Sequence, residues 1–264
     1  MPLYDLSIFL RTYPGYFKDF KKIRARQYVI PDDPRLKLKR AFRFPIPIYP
    51  PDREPQAYQM LNMVRWLAGR ASAKSKPGSI NLPPFLWKPE DLRVDAMLRD
   101  EGVQKPYLVA HPFNRVETRE YPTDGFMKTL EHLSDRYQFE IIIIGGPDDL
   151  NHSSFTKFHQ WQGKLSLAQT AYLIQHASAY LGTESGPAHL ASMLKIPTIT
   201  LMGGHAAFNE WRPLGNHTLN LKVDVDCAPC FRFTCPRYDT RCLKLMPPSH
   251  TLPLIDRFLK SLRD

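Results

Sequence analysis

A chain of 264 residues with 43% hydrophobic and 23% charged content can bury a sizeable core, as one large domain or two small ones. Its longest apolar runs, "FEIIIIGG" and "IPTITLMGG", are far too short to cross a bilayer. The opening "MPLYDLSIFLRTYP" lacks the basic-then-apolar layout and cleavage site of a secretion signal, so the cytoplasm is the expected compartment.

The net charge of +10 is concentrated early, with 16 Lys and Arg against 6 Asp and Glu in residues 1–80. Such a face suits nucleic acid, anionic lipid or a phosphorylated acceptor, or is simply a solvated basic surface. Its interleaved aromatics Phe17, Phe20 and Phe42 fit core anchoring as well as base stacking. A nucleic-acid surface is the weaker reading, and predicts duplex binding that falls steeply with salt.

In chain order, residues 1–95 are proline-rich and irregular. "IPDDPRLKLKRAFRFPIPIYPPDREP" cannot form one long helix, because each proline removes a donor and clashes with the preceding turn. "YDLSIFL" reads as a short strand, residues 56–71 as a helix and "KSKPGSINLPPFLWKPED" as a linker. From about residue 104 the texture becomes regular. "PYLVAHP" is a short buried strand. "TDGFMKTLEHLSDRY" places Phe126, Leu130 and Leu133 at helical spacing, with Thr123 or Asp124 as N-cap. "FEIIIIGGP" is a buried strand ending in glycines. "SLAQTAYLIQHA" opens with Ser166 and Gln169 in capping-box spacing. "AYLG", "GPAHLASMLK" and "PTITLMGG" add strand, helix and strand. Apolar strands alternating with helices argue for a parallel sheet covered on both faces. The expected division is 1–95 and 96–264.

Ligands of open parallel sheets bind beyond the carboxyl ends of the strands. The corner "GTESGPAH" puts Ser185 and Gly186 where a strand hands over to a helix. A helix N-terminus offers unpaired N–H groups and partial positive charge, which suit phosphate. Glu184 would repel a phosphate, so its expected partners are sugar or ribose hydroxyls or backbone N–H groups. The plain structural alternative is that Glu184 or Ser185 caps the helix.

All four cysteines fall in "CAPCFRFTCPRYDTRC". Cys227, Cys230, Cys235 and Cys242 are spaced C-x2-C-x4-C-x6-C, compact enough for a tetrahedral thiolate site holding structural zinc or iron. Reduced structural thiols are the other reading. Disulfides are not expected in a cytosolic protein.

The run "LSLAQTAYLIQHASAYLGTESGPAHLASMLKIPTITLMGG", followed by "WRPLG" and the cysteine segment, resembles the C-terminal half of the glycosyltransferase family 9 heptosyltransferases. These are GT-B enzymes of lipopolysaccharide core synthesis. The resemblance covers roughly residues 104–245, and "YDLSIFL" is similar to an N-terminal-domain strand. It implies an α/β, GT-B-like fold with a complete C-terminal Rossmann-like domain and a partial N-terminal α/β domain on the acceptor side. Ser185 and Gly186 would hold the diphosphate of a nucleotide sugar, ADP-heptose by the family pattern. Glu184 stands where the family usually has Asp, and His189 would touch the donor or brace the loop. In "HPFNRVETREYP", Arg119 replaces a donor-phosphate lysine, with a guanidinium that can grip phosphate bidentately. Asn114 and Thr118 would supply neutral donors. In "GGPDD", Gly146 permits the turn and Asp148 would accept from ribose. Leu165 lies where the family packs an apolar side chain on the base.

The family's opening strand and "GD" loop, which carry the proposed catalytic base, have no counterpart here, so the chain is expected to begin near the middle of that domain. The catalytic base is therefore unassigned. The expected activity is inverting transfer of a sugar to a lipopolysaccharide-type or other cell-surface glycan, with no cofactor for the chemistry. The charge of the basic third is compatible with peripheral contact at the inner membrane face, and apolar edges left by a missing half-domain would favour association with a partner or further copies. A silent nucleotide-sugar binding or assembly module is the alternative.

Overall fold

The computed structural model describes three strands early in the chain and residues 93–262 apart from 105, 152 and 207. The chain divides into two compact units, Met1–Ser79 and Ile80–Asp264. The helix expected over 56–71 and the linker over 74–91 lie outside the described residues. In the first unit, β1 (Leu3–Ile8), β2 (Arg24–Pro31) and β3 (Ala41–Phe44) form a parallel sheet in that order. Pro31 sits at the end of its strand, where a missing N–H costs the ladder least.

The second unit is built on six parallel strands: β4 (Tyr107–His111), β5 (Glu140–Ile143), β6 (His159–Gln160), β7 (Ala179–Thr183), β8 (Thr198–Leu201) and β9 (Thr218–Leu221). Their order is β6-β5-β4-β7-β8-β9, and every neighbouring pair is parallel. This is the doubly wound arrangement, whose strand order reverses between its first and fourth strands. Here that point lies between β4 and β7.

Strand alternation decides which helices cover which face. Leu108, Ala110, Ile141 and Ile143 point into one layer, packed with α2 (Thr123–Tyr137) through Phe126, Leu130 and Leu133 and with α7 (Pro248–Ser261) through Ile255 and Leu259. Tyr107, Val109, Ile142 and Tyr180 point into the other. That layer holds α1 (Arg93–Asp100), α3 (Leu167–Gln175) and α4 (Gly186–Met193). Both faces are buried, which is why the strands read as continuous apolar runs. Two short helices, α5 (Phe208–Trp211) and α6 (Arg241–Lys244), complete the unit.

The capping box of Ser166 and Gln169 forms in full. The start of α2 differs from expectation. Its N-cap is Pro122, with no side-chain cap, and Thr123 is already the first helical residue. A proline there pre-sets the entry dihedral without needing a hydroxyl. Among the described residues no helix is long and apolar enough to cross a membrane.

Candidate functional site

β4 and β7 are paired so that His111 lies opposite Gly182, and their loops leave the sheet at the same height. After β4 the chain runs from Pro112 to a 3-10 turn, Glu117–Arg119. After β7 it turns at Glu184 and Ser185 into α4. Two hydrogen bonds stitch these loops together: Thr183 Oγ1 donates to the Phe113 carbonyl (3.2 Å) and Asn114 Nδ2 to the Glu184 carbonyl (2.9 Å). Asn114 Oδ1 also accepts from Val116 N at 3.1 Å, so its amide braces both loops.

The result is a buried acid facing a cation. Glu184 has a side chain only 3% exposed, and Arg119 Nη2 stands 3.5 Å from its Oε1. Neither Glu184 oxygen has a hydrogen-bond partner among the described residues, and Arg119 Nε is buried and likewise unpartnered. Burial pushes the Glu184 carboxyl up, while Arg119 pulls it back. His189, one turn into α4, is held down by burial and then by Arg119. His205, beyond β8, is held down by burial and by Arg119, against a hydrogen bond to the Arg232 carbonyl that favours its charged form. Arg119 is therefore the electrostatic centre of the corner.

Ser185 occupies the N-cap position of α4 but makes no capping bond; its hydroxyl donates to the Thr183 carbonyl at 3.1 Å. Glu184 bonds no backbone N–H either, so neither residue caps the helix by its side chain. A β-carbon placed on Gly186 would meet nothing within 4 Å, so space opens directly off the first turn of α4. First-turn N–H groups, a guanidinium and an acid with no hydrogen bond among the described residues thus share one edge of the sheet. They suit a ligand carrying both negative charge and hydroxyls.

The other expected residues fall at varying places. The Thr118 hydroxyl is buried and donates to the Arg232 carbonyl, so it is engaged within the protein. Gly146 N donates to Asp149 Oδ2 at 2.7 Å, closing the turn after β5. Asp148 pairs with Arg115, both exposed, linking the β5 and β4 loops. Leu165 packs on the layer of α1, α3 and α4. All four cysteines are free thiols; Cys235 and Cys242 are buried while Cys227 and Cys230 are half-buried. Among the described residues no three His, Cys, Asp or Glu side chains gather where a metal ion could be held. The thiols nevertheless share one neighbourhood: burial raises Cys242, and the other three thiols add to it.

Two histidines of this edge were not among the expected site residues. His111, at the end of β4, is held down to about 4 by burial, against a small opposing effect of Asp149. His205 follows "LMGG", where β8 leaves the sheet on the same edge. The glycine pair after an apolar strand was the available signal for it.

The sequence profile of glycosyltransferase family 9 (heptosyltransferase) matches residues 80–240. A lipopolysaccharide heptosyltransferase 3 of Escherichia coli is 26% identical over 200 residues, 70% of this chain and 55% of that protein. The match thus spans about half the length of that curated relative. Among solved structures, a family 9 glycosyl transferase from Veillonella parvula superposes with a TM-score of 0.74 at 14% identity, covering 97% of this chain and 74% of that one. The E. coli ADP-heptose lps heptosyltransferase II gives 0.62 at 15% identity, covering 99% and 78%. The α/β, GT-B-like fold expected from the sequence is the fold of these proteins.

Proposed function

The chain belongs to glycosyltransferase family 9, and from that premise we propose that it transfers a sugar from a nucleotide-diphosphate donor to a lipopolysaccharide-type glycan. A heptose on ADP is the donor suggested by the relatives' names. One observation carries the proposal: a buried carboxylate without a hydrogen bond among the described residues, Glu184, faces Arg119 at 3.5 Å where the strand order reverses. Burying a carboxylate without partners is costly. A donor sugar or ribose supplies hydroxyls to those lone pairs, while Arg119 turns its remaining donors to the diphosphate.

In the transfer, an acceptor hydroxyl oxygen bonds to the anomeric carbon as the bond from that carbon to the diphosphate oxygen breaks. The leaving diphosphate takes the electron pair, and the acceptor proton goes to a base. Arg119 and the first N–H groups of α4 stabilise the charge gathering on the diphosphate, which is the usual source of rate in such displacements. This chemistry calls for no cofactor. Asn114 and Ser185 hold the loops that set the geometry. The basic first third meets the acceptor at the cytoplasmic face of the membrane in this reading.

The test is transfer from ADP-heptose to heptose-deficient lipopolysaccharide, with Arg119→Ala as control. Loss of turnover and clearly weakened, still measurable ADP binding are expected in a folded Arg119→Ala protein. Wild-type turnover in that variant would sink the assignment of the site.

A further inference from the structure

The cysteine segment is fastened to the donor corner. Glu117, Thr118 and Arg119 make up one 3-10 turn. Glu117 Oε2 accepts from Cys235 N at 3.3 Å, and Thr118 Oγ1 donates to the Arg232 carbonyl at 2.5 Å. The third residue of the turn is Arg119, which faces Glu184.

The same Arg232 carbonyl is held from the other side by His205, whose Nδ1 lies 2.8 Å away. A carbonyl only accepts, so Nδ1 carries the proton and donates. Carbonyl oxygen has two lone pairs, enough for Thr118 and His205 together. Thr118 Oγ1 also lies 3.2 Å from His205 Nδ1, closing a three-membered contact. The loop is pinned further where Phe231 N donates to the His205 carbonyl (2.7 Å) and Cys230 N to the Gly204 carbonyl (2.9 Å). Beneath the turn, a β-carbon on Gly203 would stand 2.0 Å from the Thr118 carbonyl, so the exit of β8 forms its floor.

The loop itself is not relaxed. Phe231, Tyr238 and Thr240 have φ of 51°, 58° and 42°. Non-glycine residues keep such conformations only where their surroundings hold them. A loop that is strained within and bonded outward is a brace for what it bonds.

We propose that the four-cysteine loop is a working part of the donor site, and that Thr118 and His205 are positioning residues that set Arg119 through the Arg232 carbonyl. The inference rests on the donor-site reading above. It adds that the reach of the guanidinium is decided by a segment more than a hundred residues further along the chain, and not by the β4 loop alone.

The experiment is a double-mutant cycle read by calorimetric titration with ADP, and with adenosine as a probe lacking phosphate. Thr118→Val should weaken ADP binding about tenfold, an ordinary coupling for residues in contact. Adenosine binding should stay as in the wild type, and Thr118→Ser, which keeps the hydroxyl, should restore ADP. In an Arg119→Ala background, Thr118→Val should cost nothing more. His205→Ala, which removes the other hydrogen bond to the Arg232 carbonyl, should repeat the pattern and stands in if Thr118→Val does not fold.

Full additivity with Arg119→Ala, an equal loss for adenosine, or no loss at all would each overturn the inference while leaving the donor site intact. Hydrogen exchange at the Arg119 and Glu120 amides reads the brace without ligand. Faster exchange in Thr118→Val together with no ADP binding by the wild type would instead remove the donor reading, and this inference with it.

Discussion

Arg119 and Glu184 meet at 3.5 Å across the gap between β4 and β7, and the acid has no hydrogen bond among the described residues to offset its burial. The pair is held apart enough to leave lone pairs and N–H groups on both sides open. An arrangement that stabilised the empty protein would have closed them. Binding sites commonly carry such a cost.

That cost has a pH signature. Burial raises the Glu184 pKa above its ordinary 4.5, and Arg119 only partly reverses this. The folded protein therefore holds this proton more tightly than the unfolded chain does. The associated stability is fully present below about 4.5 and is lost as pH rises through the folded value. Glu184→Gln cannot ionise, so its unfolding temperature should gain on the wild type from about pH 4.5 upward, with ADP binding impaired. Thermal unfolding from pH 4 to 8 measures the difference; parallel curves would mean the carboxylate is not desolvated.

Gly186→Ala separates ligand space from fold. Nothing lies within 4 Å of the added β-carbon, and alanine is the better helix residue. The unliganded variant should be as stable as the wild type or up to about 1 kcal/mol more so. ADP affinity should nevertheless fall, because the methyl group occupies the space off the first turn. Unchanged affinity would put the phosphate elsewhere.

His111 predicts an acid limb. Burial holds it down to about 4 from 6.5, against a slight opposing effect of Asp149. Between those values the unfolded chain takes up a proton that the folded protein refuses. The stability present above pH 6.5 is therefore lost as pH falls towards 4. His111→Gln should flatten this limb in urea titrations across that range, and an unchanged slope would assign the acid sensitivity to other groups.

The C-terminal helix is clamped by Asp256. His132 Nε2 donates to its carboxylate at 3.1 Å and Tyr137 OH at 2.9 Å, with Arg136 Nε at 3.4 Å. Burial would raise this carboxyl, but the hydrogen bonds from His132 and Tyr137 and the charges of His132 and Arg136 outweigh it and hold the group low. Asp256→Asn should cost about 1–3 kcal/mol at neutral pH, as for a charge-assisted network losing its ion. The deficit should shrink as pH falls through the folded pKa, where the wild-type carboxylate is itself neutralised. Urea unfolding at pH 7 and pH 3 tests both halves.

Much of the second unit was legible along the chain. Apolar runs of strand length between helix-patterned segments implied a parallel sheet, and β4, β5, β7 and β8 stand where those runs predict. β6 and β9 did not show: one is two polar residues long, and the other, "TLNL", is only half-buried. Neither needs an apolar signature at a sheet edge. α7 was masked by Pro253 inside it. It is kept helical by Ile255 and Leu259 in the core and by the Asp256 clamp.

The residue types of the corner were determined by the sequence alone, because a strand exit, an acid, a hydroxyl and a glycine before a helix are local facts. So was Arg119 as a cation in the facing loop. Which of these groups are free to meet a ligand was decided only in three dimensions. Thr118 and Asn114 stood in the same loop as candidate neutral donors, yet both bond within the protein, to Arg232 and His205 in one case and to Glu184 and Val116 in the other. Hydrogen-bond satisfaction depends on partners brought in from distant segments, here up to 114 residues away, and no local pattern encodes it.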